Sequence, residues 1–226
     1  MSLKELSNNL QTEDEFHTFT KKERVIRRQL SLHYSHKELI NVIRSQEDTQ
    51  QRKTNVKAFM TDWYLHQMNS YVNEVCNQAI DIVKSLQVKD QKGTLDKFFT
   101  YDCWGAIYSE NDYTLPHTHG PALWSWVYYI EVPYNAPPLY FKEAKLKVFP
   151  KTDELIMFPG QVIHEVPKAI DMIGERIVLA GNIYLDYRNT NMSENYFMGQ
   201  DGFVWFTGVV ENRNDPAKLG RVQVRC

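Results

Sequence analysis

From residue 97 to residue 187 the chain is a series of short aromatic and β-branched runs separated by turn-forming residues. The runs are KFFTYDCWGAIYS, LWSWVYYIEV, PLYFKEA, ELIMFPG, QVIHEV and RIVLAGNIYLD, and Pro, Gly, Asn and Asp lie between them. Runs of this length and composition are typical of β-strands joined by turns. We therefore predict a core built from many short strands.

The residues before this core have a helical period. In NSYVNEVCNQAIDIVKSL, apolar residues recur at steps of three and four, which places them on one side of a helix. This stripe consists of Val72, Val75, Cys76, Ala79, Ile80 and Val83. The segment HKELINVIRSQEDTQ predicts a shorter helix of the same kind. Helices followed by strands favour an α+β domain, in which N-terminal helices pack on one sheet of a double-stranded β-helix, a jelly-roll or cupin-like barrel.

The composition divides the chain into four parts. We predict a helical support region at residues 1–95, the β-helix core at 96–187, a polar linker at 188–202 and a β-hairpin at 203–226. The last part is too short to be an independent domain. The hairpin therefore either docks on the main domain or begins a longer one.

Charge and cysteine content exclude several classes of partner. The formal net charge is only -2, which gives no reason to expect a nucleic-acid partner. No apolar run approaches the roughly 20 residues that a bilayer span needs, and the first residues do not resemble a secretory signal. The three cysteines are scattered and lack a CxxC spacing. We therefore expect a protein of a reducing compartment with no membrane partner.

Three of the seven histidines have a spacing that suits a metal site. His117 and His119 are two residues apart, and alternate side chains of an extended segment lie on the same face. His164 lies in a second predicted strand, and Arg176 opens the next one. Imidazole is a good ligand for iron, and a guanidinium can hold a carboxylate through two hydrogen bonds. The alternative is that these are ordinary surface or core histidines.

The order of several motifs along the chain resembles that in the iron(II)/2-oxoglutarate-dependent dioxygenases. These motifs are, in sequence, Tyr108, PHTH, SWVYYI, HEVP, Arg176 and NIYLD. Within that family the likeness is to the prolyl-hydroxylase-like and the phage or bacterial oxygenase groups. The resemblance implies that His117 and His164 bind Fe(II). It also implies that Arg176 and Tyr129 hold the far carboxylate of 2-oxoglutarate, and that Tyr108 lines the pocket.

The sequence departs from the family pattern at position 119. The family's second ligand is Asp or Glu, whereas this chain has His119. Three imidazoles are chemically acceptable for iron(II), so we expect His119 to be a ligand. The alternatives are that it is only a neighbour of the metal, that water completes the site, or that metal binding is lost.

The resemblance implies an enzyme, a hydroxylase that uses dioxygen and 2-oxoglutarate to oxidise a C–H bond. The substrate is not identified by these motifs. It is a protein, with prolyl residues as one candidate, or a small molecule. A second hypothesis is a catalytically silent virion module built on the same fold. A third is a cupin-like isomerase or sugar-binding module, which would have no special need for Arg176.

The segment WFTGVVENRNDPAKLGRVQVR is similar to the start of the OB-fold domain in the baseplate hub lysozyme of T4-like phages. This likeness implies a tailed-phage protein with phage baseplate proteins among its partners. Its location would be the host cytoplasm during infection, or the tail baseplate of the virion. The alternative is a chance hairpin.

Overall fold

The helices and strands of the chain come from a computed structural model, which describes residues 25–47, 54–86 and 97–186 and the backbone of 209–212 and 223–225. The helices are α1 His36–Arg44, α2 Leu65–Met68 and α3 Ser70–Leu86. The strands are β1 Ile26–Gln29, β2 Val56–Lys57, β3 Phe59–Met60, β4 Phe98–Tyr108, β5 Tyr113–His117, β6 Trp124–Glu131, β7 Leu139–Phe141, β8 Leu146–Val148, β9 Glu154–Pro159, β10 His164–Val166, β11 Arg176–Leu185, β12 Val209–Asn212 and β13 Gln223–Arg225.

The strands before β12 form two antiparallel sheets. The major sheet has the order β1-β9-β6-β11-β4-β3, and the minor sheet has the order β2-β5-β10-β7-β8. Neighbours in these orders come from distant parts of the chain, as in a jelly roll, where the two sheets face each other. The predicted α+β fold with a double-stranded β-helix core is confirmed.

The helices pack on the outer face of the major sheet. On α3 the buried apolar residues are Val72, Val75, Cys76, Ala79, Ile82 and Val83. The predicted stripe is therefore confirmed, except that Ile82 is buried where Ile80 was expected. At the α1 contact, a Cβ on Gly105 would lie 2.6 Å from Cγ1 of Ile43. Glycine at this position lets the helix approach the sheet closely.

Side chains alternate between the two faces of β6. Trp126, Tyr128 and Ile130 belong to the helix-side core, while Val127 and Tyr129 belong to the core between the sheets. Period-two alternation along a strand produces this separation. β6 therefore contributes side chains to both cores.

The N-terminal region contains strands as well as helices. β1 pairs with β9 at one edge of the major sheet, and β3 pairs with β4 at the other. These segments are only two to four residues long, too short for a hydrophobic period to be recognised. Their conformation depends on pairing with strands far along the chain, so the sequence pattern alone predicted mainly helix.

The chain divides into two compact units, Met1–Leu185 and Asp186–Cys226. In the second unit, β12 and β13 pair antiparallel. The predicted linker at 188–202 lies outside the described residues. Among the described helices, none is both long and apolar enough to cross a membrane.

Candidate metal centre

Three histidine side chains meet at one end of the space between the sheets. His117 is the last residue of β5, and it lies directly opposite His164, the first residue of β10, in the antiparallel register. His119 follows two residues later. One nitrogen from each ring lies within 4.8 Å of the corresponding nitrogen in the other two. This is the spacing of atoms that could bind a common ion.

Backbone carbonyls fix the tautomers of two of the rings. The Nδ1 atom of His117 lies 2.8 Å from the carbonyl oxygen of Leu115, and Nδ1 of His164 lies 3.0 Å from that of Val162. Because a carbonyl can only accept, both Nδ1 atoms carry the hydrogen and donate. The Nε2 atoms of both rings are then free to bind a metal ion, in the arrangement that metal-binding histidines usually have.

A loop positions the third ring. The backbone N–H of His119 donates to the carbonyl of Gly160 (2.7 Å), and its carbonyl accepts from the N–H of Ala122 (2.8 Å). Its Nδ1 atom lies 3.5 Å from Nδ2 of Asn182. His119 therefore lies beyond the end of β5, and loop contacts, rather than strand alternation, direct it towards the other two histidines.

Burial keeps the three rings neutral. It lowers the pKa of His164 to about 3, with a further contribution from His117. The pKa of His119 falls to about 2, mainly because of burial and secondarily because of His117 and His164. Burial also lowers the pKa of His117. Neutral imidazoles are the form that binds metal ions.

Arg176 lies in the same space between the sheets and is almost completely buried, with 1% of its surface exposed. One guanidinium nitrogen donates to the carbonyl of Pro137 (3.1 Å), and Nε has no partner. The guanidinium carbon lies 4.2 Å from the ring centre of Tyr108, a cation–π contact. Within the described part of the chain, no acidic side chain forms an ion pair with this guanidinium.

Two tyrosines flank the guanidinium. Tyr108 ends β4 directly opposite Arg176 in the register, and its hydroxyl lies 2.7 Å from that of Thr114. The Tyr129 hydroxyl is fully buried and has no hydrogen-bond partner. Burial raises the pKa of Tyr129 to about 12, while Arg176 opposes that shift. A buried donor without a partner is costly, so Tyr129 and Arg176 both have hydrogen-bonding capacity available for a ligand.

One pocket joins these groups. It contains about 490 Å³ of space between atoms, including its open mouth, and all six residues singled out from the sequence line it. A second pocket of about 560 Å³, measured in the same way, shares His117, His119 and Trp104 with the first and adds Trp63. His117 and His119 therefore lie between an inner pocket that leads to Arg176 and an outer pocket with aromatic walls.

Three residues of this site were not among the sequence predictions. Asn182 and Ser125 are each 2% exposed, and the serine hydroxyl donates to Oδ1 of the asparagine (2.7 Å). The amide of Asn182 also donates to Asp102, whose pKa is raised by burial. Asn182 has the same strand parity as Arg176, so a polar residue within an apolar strand was the available signal.

The fold is similar to that of several solved oxygenase structures. One is the viral collagen prolyl hydroxylase of Paramecium Bursaria Chlorella virus-1 in complex with 2-oxoglutarate, with 18% identity and a TM-score of 0.54. It matches over 73% of this chain and 96% of that one. A prolyl-4-hydroxylase of Pseudomonas putida has 17% identity and a TM-score of 0.50, over 73% and 94% of the two chains.

A third similar structure contains a different bound molecule. HygX of Streptomyces hygroscopicus, with nickel, 2-oxoglutarate and hygromycin B bound, has 9% identity and a TM-score of 0.53. The match covers 73% of this chain and 83% of that one. At these identities the likeness defines a class of fold: a double-stranded β-helix of the type found in 2-oxoglutarate oxygenases.

Sequence comparison finds a short match to one curated protein. Protein Gp5 of Vibrio phage KVP40 is 70% identical over 30 residues, which are 13% of this chain and 7% of that protein. The chain thus matches only a small part of that relative's length. No family model matches the sequence.

Proposed function

We propose that the chain is an iron(II)- and 2-oxoglutarate-dependent oxygenase that hydroxylates a C–H bond. A single combination of groups carries this proposal. Three neutral imidazoles converge at one end of a pocket, and a buried guanidinium with spare donor capacity lies in the same pocket. A buried cation without a counter-ion is costly, and a dicarboxylate bound to a metal at the histidines would compensate that cost.

The residues present fit both groups. In His117 and His164, Nδ1 donates its hydrogen to a backbone carbonyl, so Nε2 is unprotonated and can bind a metal ion. His119 supplies a third nitrogen. A facial set of three protein ligands leaves positions open for a co-substrate and dioxygen. Nε of Arg176 and the hydroxyl of Tyr129 are buried donors without partners, and both would donate to the far carboxylate of 2-oxoglutarate.

The bound iron and 2-oxoglutarate would supply the oxidising chemistry, in which dioxygen is reduced while the co-substrate is decarboxylated to succinate. The chain contributes orientation and exclusion of water. Tyr108 packs against the guanidinium at 4.2 Å and holds it in place. Apolar side chains such as Leu139, Val166 and Val178 line the pocket. Such a lining strengthens the charged contacts inside it.

The outer pocket favours a polypeptide substrate. Trp63 and Trp104 form one wall beside the histidines, with ring centres 5.0 Å apart. Tyr64 begins a second aromatic row with Tyr101 and Tyr184, at centre distances of 6.1 and 5.5 Å. Aromatic grooves bind proline-rich segments well, since these are already extended and lose little entropy. We propose prolyl residues of a protein as the first substrates to test.

The proposal is tested with purified protein, iron(II) and 2-oxoglutarate, by measuring succinate with and without a proline-rich peptide. We expect slow succinate release without peptide and faster release with it. The Arg176→Met variant should release almost none. If the wild-type chain binds no metal and forms no succinate under either condition, the proposed activity is wrong. If peptide has no effect but uncoupled turnover occurs, only the substrate proposal fails.

A second candidate function is a structural module of a phage particle. Two observations favour it: the short match to Protein Gp5 of a Vibrio phage, and a histidine at position 119 where the resembling family has an acid. Its segment 203–226 would then belong to an OB fold of a tail baseplate. Mass spectrometry of purified particles tests this idea. The chain in stoichiometric amounts, without succinate formation, would support it, whereas absence from particles would contradict it.

A further inference from the structure

The amide of Asn182 contacts the one histidine of the cluster whose Nδ1 does not face a backbone carbonyl. Nδ1 of His117 and of His164 each face a carbonyl, which fixes the position of the ring hydrogen. Nδ1 of His119 faces the side-chain amide at 3.5 Å. An amide presents either a donor or an acceptor, depending on its rotation about the last bond. The tautomer of His119 therefore depends on the direction of this amide.

The two amide orientations have opposite consequences for metal binding. With Oδ1 accepting from the Ser125 hydroxyl at 2.7 Å, Nδ2 faces His119. Nδ1 of the imidazole then accepts, and the ring hydrogen is on Nε2, which cannot bind a metal ion. A half-turn of the amide places Oδ1 against an Nδ1–H and leaves Nε2 unprotonated. The serine hydroxyl can donate or accept, so it satisfies both orientations. The half-turn also removes the donation from Nδ2 to Asp102, so it requires a compensating gain, which metal binding by His119 would supply.

The Asn182 amide lies between the side chains of two neighbouring strands. Asn182 on β11 lies directly opposite Ser125 on β6 and opposite Asp102 on β4. Asn182 and Ser125 are each 2% exposed. Buried polar side chains in the middle of a sheet cost stability unless they are hydrogen-bonded. Such a pair beside a cluster of histidines is well placed to orient one of them.

We propose that Asn182 is a positioning residue for the third metal ligand. The direction of its amide selects which ring nitrogen of His119 carries the hydrogen, and thereby whether the imidazole can bind a metal ion. This inference rests on the proposed function only in requiring that a metal ion occupies the cluster. Outer partners of metal-binding histidines typically change metal affinity by about 10–100-fold when they are removed.

Two variants at the same position form a matched pair. In Asn182→Asp a carboxylate can accept from Nδ1–H and hold that tautomer. The adjacent Asp102, whose pKa is raised by burial, would carry the proton that two neighbouring carboxyl groups share. In Asn182→Leu a side chain of similar size can neither donate nor accept. Titration of the metal-free protein with cobalt(II), followed by visible absorption, measures affinity without turnover. We expect the Leu variant to bind about 10–100-fold more weakly than wild type and the Asp variant to bind nearly as well as wild type.

A second readout separates positioning from mere packing. Nitrogen-15 spectra of zinc-loaded protein report which nitrogen of His119 carries the hydrogen, and we expect Nδ1 in wild type and in Asn182→Asp. Urea unfolding shows whether each variant is folded. If Asn182→Leu does not fold, Asn182→Ala, which also removes the amide, replaces it and should also weaken cobalt binding.

The outcomes distinguish this inference from the proposed function. Equal cobalt affinity and identical spectra in wild type and the folded Leu variant would overturn the role of Asn182 and leave the oxygenase proposal intact. A zinc-loaded wild-type chain in which Nδ1 of His119 lacks a hydrogen would do the same. If the wild-type chain binds no cobalt, the proposed function and this inference are both wrong.

Discussion

The two faces of β11 differ in their content of polar side chains. Towards the helices it presents Ile177, Leu179 and Ile183, which belong to a core of apolar side chains. Towards the minor sheet it presents Arg176 and Asn182, both buried and both polar, together with the apolar Val178 and Ala180. The first face gains stability from buried apolar surface. The second contains groups that are costly to bury, and this difference is expected where a fold has been adapted for ligand binding.

The largest effect is expected from Arg176→Met, which should separate ligand binding from stability. Replacing a buried charge with an apolar side chain of similar length is often neutral or stabilising, so urea unfolding of the ligand-free protein should show no loss. Binding of 2-oxoglutarate to the metal-loaded protein should weaken by about 2–5 kcal/mol, because its carboxylate loses its partner. Calorimetric titration measures this change. Unchanged affinity would show that the guanidinium does not hold the co-substrate.

A substitution on the helix-side face of β11 should lower stability and leave metal binding unchanged. Leu179 is fully buried in the helix-side core, and truncation of such a residue costs about 2–5 kcal/mol. We expect Leu179→Ala to lower the free energy of unfolding by that amount, as measured with urea. The cobalt affinity of the folded protein should stay at the wild-type value. A large fall in affinity without loss of stability would mean that the two faces are not independent.

A pH effect of intermediate size should come from the polar face. Burial lowers the folded-state pKa of His164 to about 3 from an ordinary 6.5. Between these values the unfolded chain binds more protons, so the metal-free protein is most stable above pH 6.5 and loses stability as pH falls towards 3. The loss attributable to this residue should be at least about 1.4 kcal/mol, the equivalent of one pKa unit. His164→Phe should remove that part of the pH dependence of urea unfolding. An unchanged profile in this variant would contradict the assignment.

The smallest effect is expected from Tyr129→Phe, which removes one hydroxyl without a partner. The stability of the ligand-free protein should be unchanged or slightly higher, because the substitution removes a buried donor that has no partner and therefore costs free energy. Affinity for 2-oxoglutarate should fall by about 0.5–1.5 kcal/mol, the net value of one hydrogen bond. Calorimetric titration of Tyr129→Phe and Arg176→Met with 2-oxoglutarate would show which of the two donors contributes more to affinity. A loss larger in Tyr129→Phe than in the arginine variant would reverse their proposed roles.

Much of the β-core could be predicted from the sequence, because its strands carry their own period. The aromatic and β-branched runs identified the long strands, and the residues of WSWVYYI alternate between the two faces of β6. β1 and β3 could not be predicted, since their conformation comes from edge pairing with β9 and β4. Pairing between distant segments is not encoded in any local period.

The site was predicted less completely than the fold. Spacing and family likeness identified three histidines and an arginine, and the structure brings these side chains to one pocket. The position of His119 could not be derived from strand alternation, because contacts with Gly160 and Ala122 in the folded loop direct it. Asn182 was missed because its neighbours, Ser125 and Asp102, are 57 and 80 residues away along the chain.

The most direct test of the proposed centre is anomalous diffraction at the zinc edge, from crystals grown with zinc(II) as a stand-in for iron and with 2-oxoglutarate. The proposed site predicts one strong peak about 2.0–2.1 Å from a nitrogen of each of His117, His119 and His164. Density for the dicarboxylate should connect that peak to the guanidinium of Arg176. A peak elsewhere, or a co-substrate bound away from the arginine, would contradict the proposed oxygenase site.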